Sequence, residues 1–187
     1  MMLKLKFFII SLFFVLIFSS AQICVAYEKI YKKTQVGDIK IKDIPQCRVI
    51  ETGVEENYFD HSNALFRNLF KYISDNTIDM TVPVEANIEP SKMRFFISPS
   101  DKRSFTDTDK IKIKTIPAHT VASYGARGSY SKKNVTYAMN TLENWVNTQT
   151  AIRVKGRPYA VFWDGPFKLW FLKKFEIHIP VEKKSYR

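Results

Sequence analysis

A duplicated segment constrains this chain more than any other feature. Ile41-Lys-Asp-Ile44-Pro45-Gln-Cys-Arg-Val49-Ile-Glu-Thr-Gly53 aligns with Ile113-Lys-Thr-Ile116-Pro117-Ala-His-Thr-Val121-Ala-Ser-Tyr-Gly125. The residue pairs Ile41/Ile113, Lys42/Lys114, Ile44/Ile116, Pro45/Pro117, Val49/Val121 and Gly53/Gly125 are identical. Each copy reads as a short strand, a kink at the proline, and a second strand ended by glycine. A chain that carries such a segment twice is expected to fold as two similar units.

The residues after each copy strengthen that expectation. Beyond the first, Leu65, Phe66, Leu69, Phe70, Tyr72 and Ile73 recur at helical spacing, with Asp60 or Ser62 as the cap. Beyond the second, Val135, Ala138, Met139, Leu142, Trp145 and Val146 do the same behind Ser129 or Ser131. Two strands are expected after each helix: Met80 to Ile88 and Met93 to Ser98, then Arg157 to Trp163 and Lys174 to Val181. In the last of these Phe175, Ile177, Ile179 and Val181 alternate with Lys174, Glu176, His178 and Pro180, the period of a strand with one buried face. The exits Ile97-Ser98-Pro99 and His178-Ile179-Pro180 read as equivalent. The fold class is therefore α+β: two βαββ units forming one curled antiparallel sheet, a distorted β-barrel with two helices on it, and a cleft where the halves meet. Pro99 to Lys110 is a linking loop, so residues 27–187 make one domain.

Residues 1–26 read separately. Lys4 and Lys6 precede an apolar stretch from Phe7 to Phe18, and small residues surround Ala26, the pattern of a signal peptide cleaved there. The stretch is shorter than the roughly 20 apolar residues of a spanning helix, and an uncleaved anchor is the alternative. Export to a periplasm or the extracellular space is expected, with no membrane span left after cleavage. The mature chain then has 27 basic and 18 acidic residues, a charge of +9, and Cys47 as its one cysteine, so no internal disulfide supports it. The basic residues are scattered rather than blocked, which argues against nucleic acid as a partner. Cys47 reads as a small buried residue.

Enzyme constellations are missing. His61, His119 and His178 form no metal-ligand spacing, and there is no G-x-S-x-G, P-loop or dinucleotide glycine pattern. What remains is an aromatic-rich chain, with 15 Phe and 9 Tyr. The turn Trp163-Asp-Gly-Pro-Phe167-Lys-Leu-Trp170-Phe171 stands out, since so many aromatics around a Gly-Pro turn must either cap the core or wall a pocket for a flat apolar ligand.

Tyr27-Glu28-Lys29, Met80-Thr81-Val82-Pro83-Val84, Trp163-Asp-Gly-Pro-Phe167 and Trp170-Phe-Leu-Lys-Lys-Phe-Glu-Ile177 together resemble the signatures of the SOUL/haem-binding family. The resemblance covers the chain after residue 26 and implies the same duplicated fold. It implies a non-catalytic protein that binds haem or another tetrapyrrole in a hydrophobic cleft beside the first helix. Carried onto this sequence, Phe66, Leu69, Phe70, Ile73 and Met80 would line that cleft, and Arg67 or Lys71 would meet the propionates. Some members ligate iron through a histidine near the end of the first strand. Asp43 stands in the matching stretch, so no strong axial ligand is expected, with His61 as a substitute. The second half also resembles gyrase-inhibitor-like effector-binding domains through Ile116-Pro-Ala-His-Thr-Val-Ala122 and Glu176-Ile-His-Ile-Pro-Val181. That likeness implies an alternative, a pocket for a lipophilic small molecule in which Glu176 meets the ligand. A third alternative is an interaction module without a ligand.

Overall fold

Both helices form where the apolar periodicity places them. In a computed structural model describing residues 27–165 and 167–184, α1 spans Tyr58–Asp75 and α2 spans Lys132–Asn147. The signal-peptide expectation falls on residues 1–26, outside the described residues. The α1 cap is neither Asp60 nor Ser62 but Asn57, whose side-chain oxygen accepts from the Phe59 N–H at 2.9 Å. The helix starts early because Tyr58, 3 % exposed, already belongs to its buried stripe. Ser131, one of the two expected residues, caps α2 and accepts from the Asn134 N–H.

Eleven strands are described: β1 Glu28–Lys29, β2 Ile39–Ile44, β3 Cys47–Val54, β4 Thr81–Val82, β5 Val84–Asn87, β6 Ser91–Phe96, β7 Lys112–Ile116, β8 His119–Arg127, β9 Ile152–Val154, β10 Tyr159–Phe162 and β11 Lys174–Lys183. The expected strand from Met80 to Ile88 is divided at Pro83, which has no N–H for the ladder. Its first part, β4, pairs with β1 outside the main sheet.

The main sheet runs β2-β8-β11-β10-β5-β6-β3-β7, antiparallel throughout, with β9 against the end of β11. This order is a palindrome of the two halves, curled into a half-barrel. Its pseudo-twofold passes through the paired Ala86 and Ala160, both fully buried. The strands on either side of the repeat prolines do not pair with each other. Instead β2 crosses to β8 of the second half and β7 crosses to β3 of the first. Each half thus donates its leading strand to the other.

The register corrects one detail. Pro180 lies opposite Val121 as Phe96 lies opposite Val49, so Pro180 corresponds to Phe96. Ile97-Ser98-Pro99 has already left the sheet and is not the counterpart of His178-Ile179-Pro180.

The two helices share one face of the sheet, α1 over β3 and β6 and α2 over β8 and β11. Between them and the sheet lies the main core, with Leu65, Leu69, Leu142, Phe95, Phe175 and Ile177 at 0–2 % exposure. Each such side chain contributes roughly 1.5–3 kcal/mol of burial. The opposite, concave face holds a smaller cluster of Tyr31, Ile44, Val49, Phe96, Val121, Val161 and Trp163, with Cys47 and Tyr159 at its margin. No helix among the described residues is long and apolar enough to cross a membrane.

Candidate functional site

The sequence directs attention to the outer side of α1, and the structure divides the residues there. Leu69 and Ile73 point into the main core at 0 % and 4 % exposure. Phe66 and Met80 are half-buried against that core. Phe70, one turn on from Phe66, is 50 % exposed, and its ring stacks on Phe66 at 5.9 Å and 14°. The inner edge of Phe66 meets Phe95 at 5.3 Å, which fixes the pair. Arg67 and Lys71 sit beside these rings, both exposed, with Lys71 ion-paired to Asp75 at 2.7 Å. Such an exposed pair has little hold on the lysine. The result is a half-exposed stacked ring pair bordered by two cations. His61 is half-buried in the opening turns of α1, five residues ahead of Phe66.

Glu176 is not there. It lies on the concave face, fully buried, and four donors of this chain saturate its carboxylate. Thr34 N–H reaches Oε1 at 2.7 Å, while Lys42 Nζ (2.5 Å), Ser123 Oγ (2.9 Å) and His178 Nε2 (2.7 Å) reach Oε2. Burial opposes the charge, but His178 and Lys42 outweigh it and hold the carboxyl at about 2. Burial pushes His178 down to about 4, so its ring is neutral at pH 7. Lys42, held at 17 % side-chain exposure, is lowered by burial against the pull of Glu176.

His178 continues into a chain of contacts: Nδ1 to the Tyr159 hydroxyl at 3.2 Å, that hydroxyl to His119 Nε2 at 3.3 Å, and His119 Nδ1 to the Pro117 carbonyl at 2.9 Å. Both ends, a carboxylate and a carbonyl, only accept. Four links therefore need four protons, and two neutral imidazoles with one phenol supply three. With His178 Nε2–H donating to Glu176, Tyr159 O–H to His178 and His119 Nδ1–H to Pro117, the longest link, His119 to Tyr159, lacks its proton.

The repeat lysines explain each other. Lys42 on β2 reaches Glu176, and Lys114 on β7 reaches the buried Glu51 at 2.6 Å, each from a strand donated by the other half. Arg94 Nε also donates to Glu51 at 2.6 Å, and Arg94 Nη1 lies 3.6 Å from the buried Glu85. Burial opposes charge on Glu51, but Lys114 and Arg94 more than offset it. At Glu85 burial dominates over Arg94, and the carboxyl is raised.

This face is closed by the segment preceding β2. Ile30 N–H donates to Val82, and Gly37 N–H and Gly125 N–H exchange bonds with Gly125 and Asp38. Tyr31 inserts its ring edge-on to Phe96 (5.9 Å) and Trp163 (5.7 Å), under the Lys42 ammonium at 5.1 Å. Gly125 permits the close approach, since a Cβ there would lie 2.1 Å from the Gln35 carbonyl oxygen. Neither this closure nor the His119–Tyr159–His178 chain was legible in the sequence, where His178 and Glu176 showed only a shared strand face. A rim cleft of about 210 Å³ beside Cys47, Arg48, Ile97 and Ser98 is below the ~300–1,000 Å³ of ordinary ligand pockets.

The Trp163–Phe171 turn does not cap the core. Of its described residues only Trp163 is buried, under the Lys33 ammonium at 5.3 Å, and its indole N–H has no protein partner. Phe167 and Trp170 stand 100 % and 66 % exposed.

The model of the family described as SOUL heme-binding protein matches residues 22–180. No curated protein matches the sequence. Among solved structures, the EcmrR C-terminal domain is similar at a TM-score of 0.61 and 18 % identity over 79 % of this chain and 98 % of that one. A cryo-EM structure of an EcmrR–DNA complex gives 0.63 and 19 % over 79 % of this chain, which spans 58 % of the length of that chain. A hydrolase encoded by lin2189 from Listeria innocua gives 0.54 and 10 % over 84 % and 100 %. At these identities the likeness is one of fold.

Proposed function

Because the chain belongs to the SOUL heme-binding protein family, we propose that it is an exported, non-catalytic protein that holds haem or another tetrapyrrole against α1 by burial rather than through a strong axial histidine. The observation that carries this reading is the stacked pair Phe66–Phe70, within 14° of parallel and half open to solvent on an otherwise polar helix face. A planar macrocycle can stack against the exposed Phe70 ring, with Phe66 behind it, while Arg67 and Lys71 meet its two carboxylates in charge-assisted contacts. Leu69 and Ile73 support the surface from within the core. Bound haem would supply the redox-active iron, and the protein's own part is to shelter the macrocycle face and neutralise the propionates. His178 does not fit the role of axial ligand, since both its ring nitrogens already have partners. The alternative site at Glu176 is disfavoured on similar grounds. A lipophilic ligand there would have to displace Thr34, Lys42 and Tyr31 together.

Residues 27–187 titrated with ferric haem, followed by the Soret band and tryptophan quenching, test the reading. Saturable one-to-one binding is expected, weakened at least roughly tenfold by Phe70→Asp, which puts a charge beneath the macrocycle, and unchanged by His61→Ala. No saturable response at micromolar haem, or equal binding by Phe70→Asp, overturns it.

A further inference from the structure

The β10–β11 turn is built to hold apolar side chains out into solvent. Its base is clamped: Asp164 Oδ2 accepts from the Lys174 N–H at 2.6 Å, Asp164 N–H donates to the Tyr130 hydroxyl at 2.9 Å, and that hydroxyl donates to the Lys174 carbonyl at 3.0 Å. From this base Phe167, Leu169, Trp170, Phe171 and Leu172 project at 100 %, 58 %, 66 %, 48 % and 39 % exposure. A single 3₁₀ turn over Trp170–Leu172 sets Trp170 edge-on to Phe171 at 5.5 Å. A loop so firmly closed at its neck could have folded these groups inward. An exposed cluster of this kind marks a contact surface.

Its surroundings decide what it contacts. Lys168 is tied to Asp164 at 2.7 Å, Lys173 lies over the Tyr130 ring at 5.1 Å, and Lys33 lies over Trp163. The ammonium of Lys33 is disfavoured first by burial, is stabilised by Asp164, and is repelled by Lys174, Lys168 and Lys29. Five lysines thus gather around one aspartate at the foot of an apolar tip, on a chain of net charge +11.

We propose that this turn docks the protein onto an anionic bilayer surface, with Trp170, Phe171 and Leu169 inserted at the headgroup boundary and Lys168, Lys173, Lys174 and Lys33 held against lipid phosphates and carboxylates. Tryptophan favours that depth, lysine stems extend from apolar surroundings to charged headgroups, and each lysine near an anionic leaflet adds attraction. A protein partner or a second copy would gain from the apolar tip, but the lysine ring would oppose pairing with an identical basic surface. The inference is independent of the tetrapyrrole reading.

The test uses residues 27–187, which contain every described strand, α1, α2 and both clusters described above. Vesicles of phosphatidylcholine with one quarter phosphatidylserine are compared with phosphatidylcholine alone. The readouts are co-sedimentation, tryptophan emission and quenching by brominated acyl chains. Wild type is expected to bind the anionic vesicles in a salt-sensitive way, with a blue shift and bromine quenching from Trp170. The double substitution Trp170→Ser and Phe171→Ser, at exposed positions, should reduce partitioning at least roughly tenfold. Tyr137→Ser, 70 % exposed on α2, should leave it unchanged. Bromine quenching in the wild type is a readout that needs no variant to fold. Absence of binding, adsorption without quenching, equal binding by the double variant, or a wild-type dimer in sedimentation that the double variant abolishes would each overturn the proposal.

Discussion

Replacing Glu176 by glutamine should destabilise the protein by about 3–5 kcal/mol at pH 7, the range for breaking a buried charge pair on one side. The geometry sets the size. Two oxygens accept from four donors, and an amide can present only one oxygen. If that oxygen stays with Lys42, Ser123 and His178, the new NH₂ confronts the Thr34 N–H. If it turns to Thr34, the NH₂ confronts the other three. In either case Lys42 loses its counter-charge and keeps only neutral contacts, among them the Lys32 carbonyl at 3.0 Å; these and its 17 % exposure place the cost toward the lower end. Urea unfolding of residues 27–187, followed by tryptophan emission, measures it. Adding Lys42→Met to the variant should recover at least about 1 kcal/mol, because residues in direct contact couple. The pH limb follows from the same groups. The Glu176 carboxyl is about 2 in the fold, below its unfolded value, so its contribution is present above the unfolded value and is lost as pH falls toward 2. His178 is about 4 in the fold against 6.5 unfolded, so the unfolded chain takes up its proton first and stability already declines from pH 6.5 toward 4, at up to about 1.4 kcal/mol per pH unit. Glu176→Gln should lose the lower limb and keep the upper one. A cost under about 1 kcal/mol, or no coupling to Lys42, refutes the view that this carboxylate holds the concave face together.

Two further outcomes are expected. Gly125→Ala should lift the segment before β2 from the concave face, since the added methyl falls on the Gln35 carbonyl; hydrogen exchange across residues 28–38 should rise while α1 and α2 stay protected. The Cys47 thiol, 8 % exposed and pushed up to about 11 by burial and then by Glu85, should react with iodoacetamide at pH 7.5 far more slowly than a free thiol; labelling at the free-thiol rate would contradict its burial.

The fold was legible because its strongest determinants are local. Helical and two-residue periodicities arise from which side chains must meet a core, and the repeated Ile-Lys-x-Ile-Pro segment exposed the duplication. The exchange of β2 and β7 between halves left no local mark. A strand before a proline looks the same whether it pairs with the strand after it or with one some 80 residues away. The N-cap of α1 was misread for a related reason. Tyr58 and Phe59 look like a connecting segment until Tyr58 is seen to be buried. At the site, Phe66, Phe70, Arg67 and Lys71 share a helix surface by spacing alone, so their proximity was readable. The partners of Glu176 come from Thr34, Lys42, Ser123 and His178, on separate stretches of chain, and no spacing rule connects them.

The exchange of strands also bears on how the two faces of the sheet can differ. The face under the helices is filled by apolar residues from both halves. On the concave face the symmetry is broken residue by residue: Arg94 stands where the second half has His178, Glu85 where it has Tyr159, and Glu51 where it has Ser123, as the register dictates. Among the charged residues here the two repeat lysines are kept, one on each donated strand, and each is neutralised by a carboxylate that the opposite arrangement lacks. Glu176 serves Lys42 from β11, and Glu51 serves Lys114 from β3. Because each lysine arrives from the other half, either ion pair forms only when both halves are in place. The two ion pairs therefore tie the halves to each other, and they occupy the cleft between them. On this argument the surfaces free to meet a ligand or a bilayer lie outside that cleft, on α1 and on the β10–β11 turn.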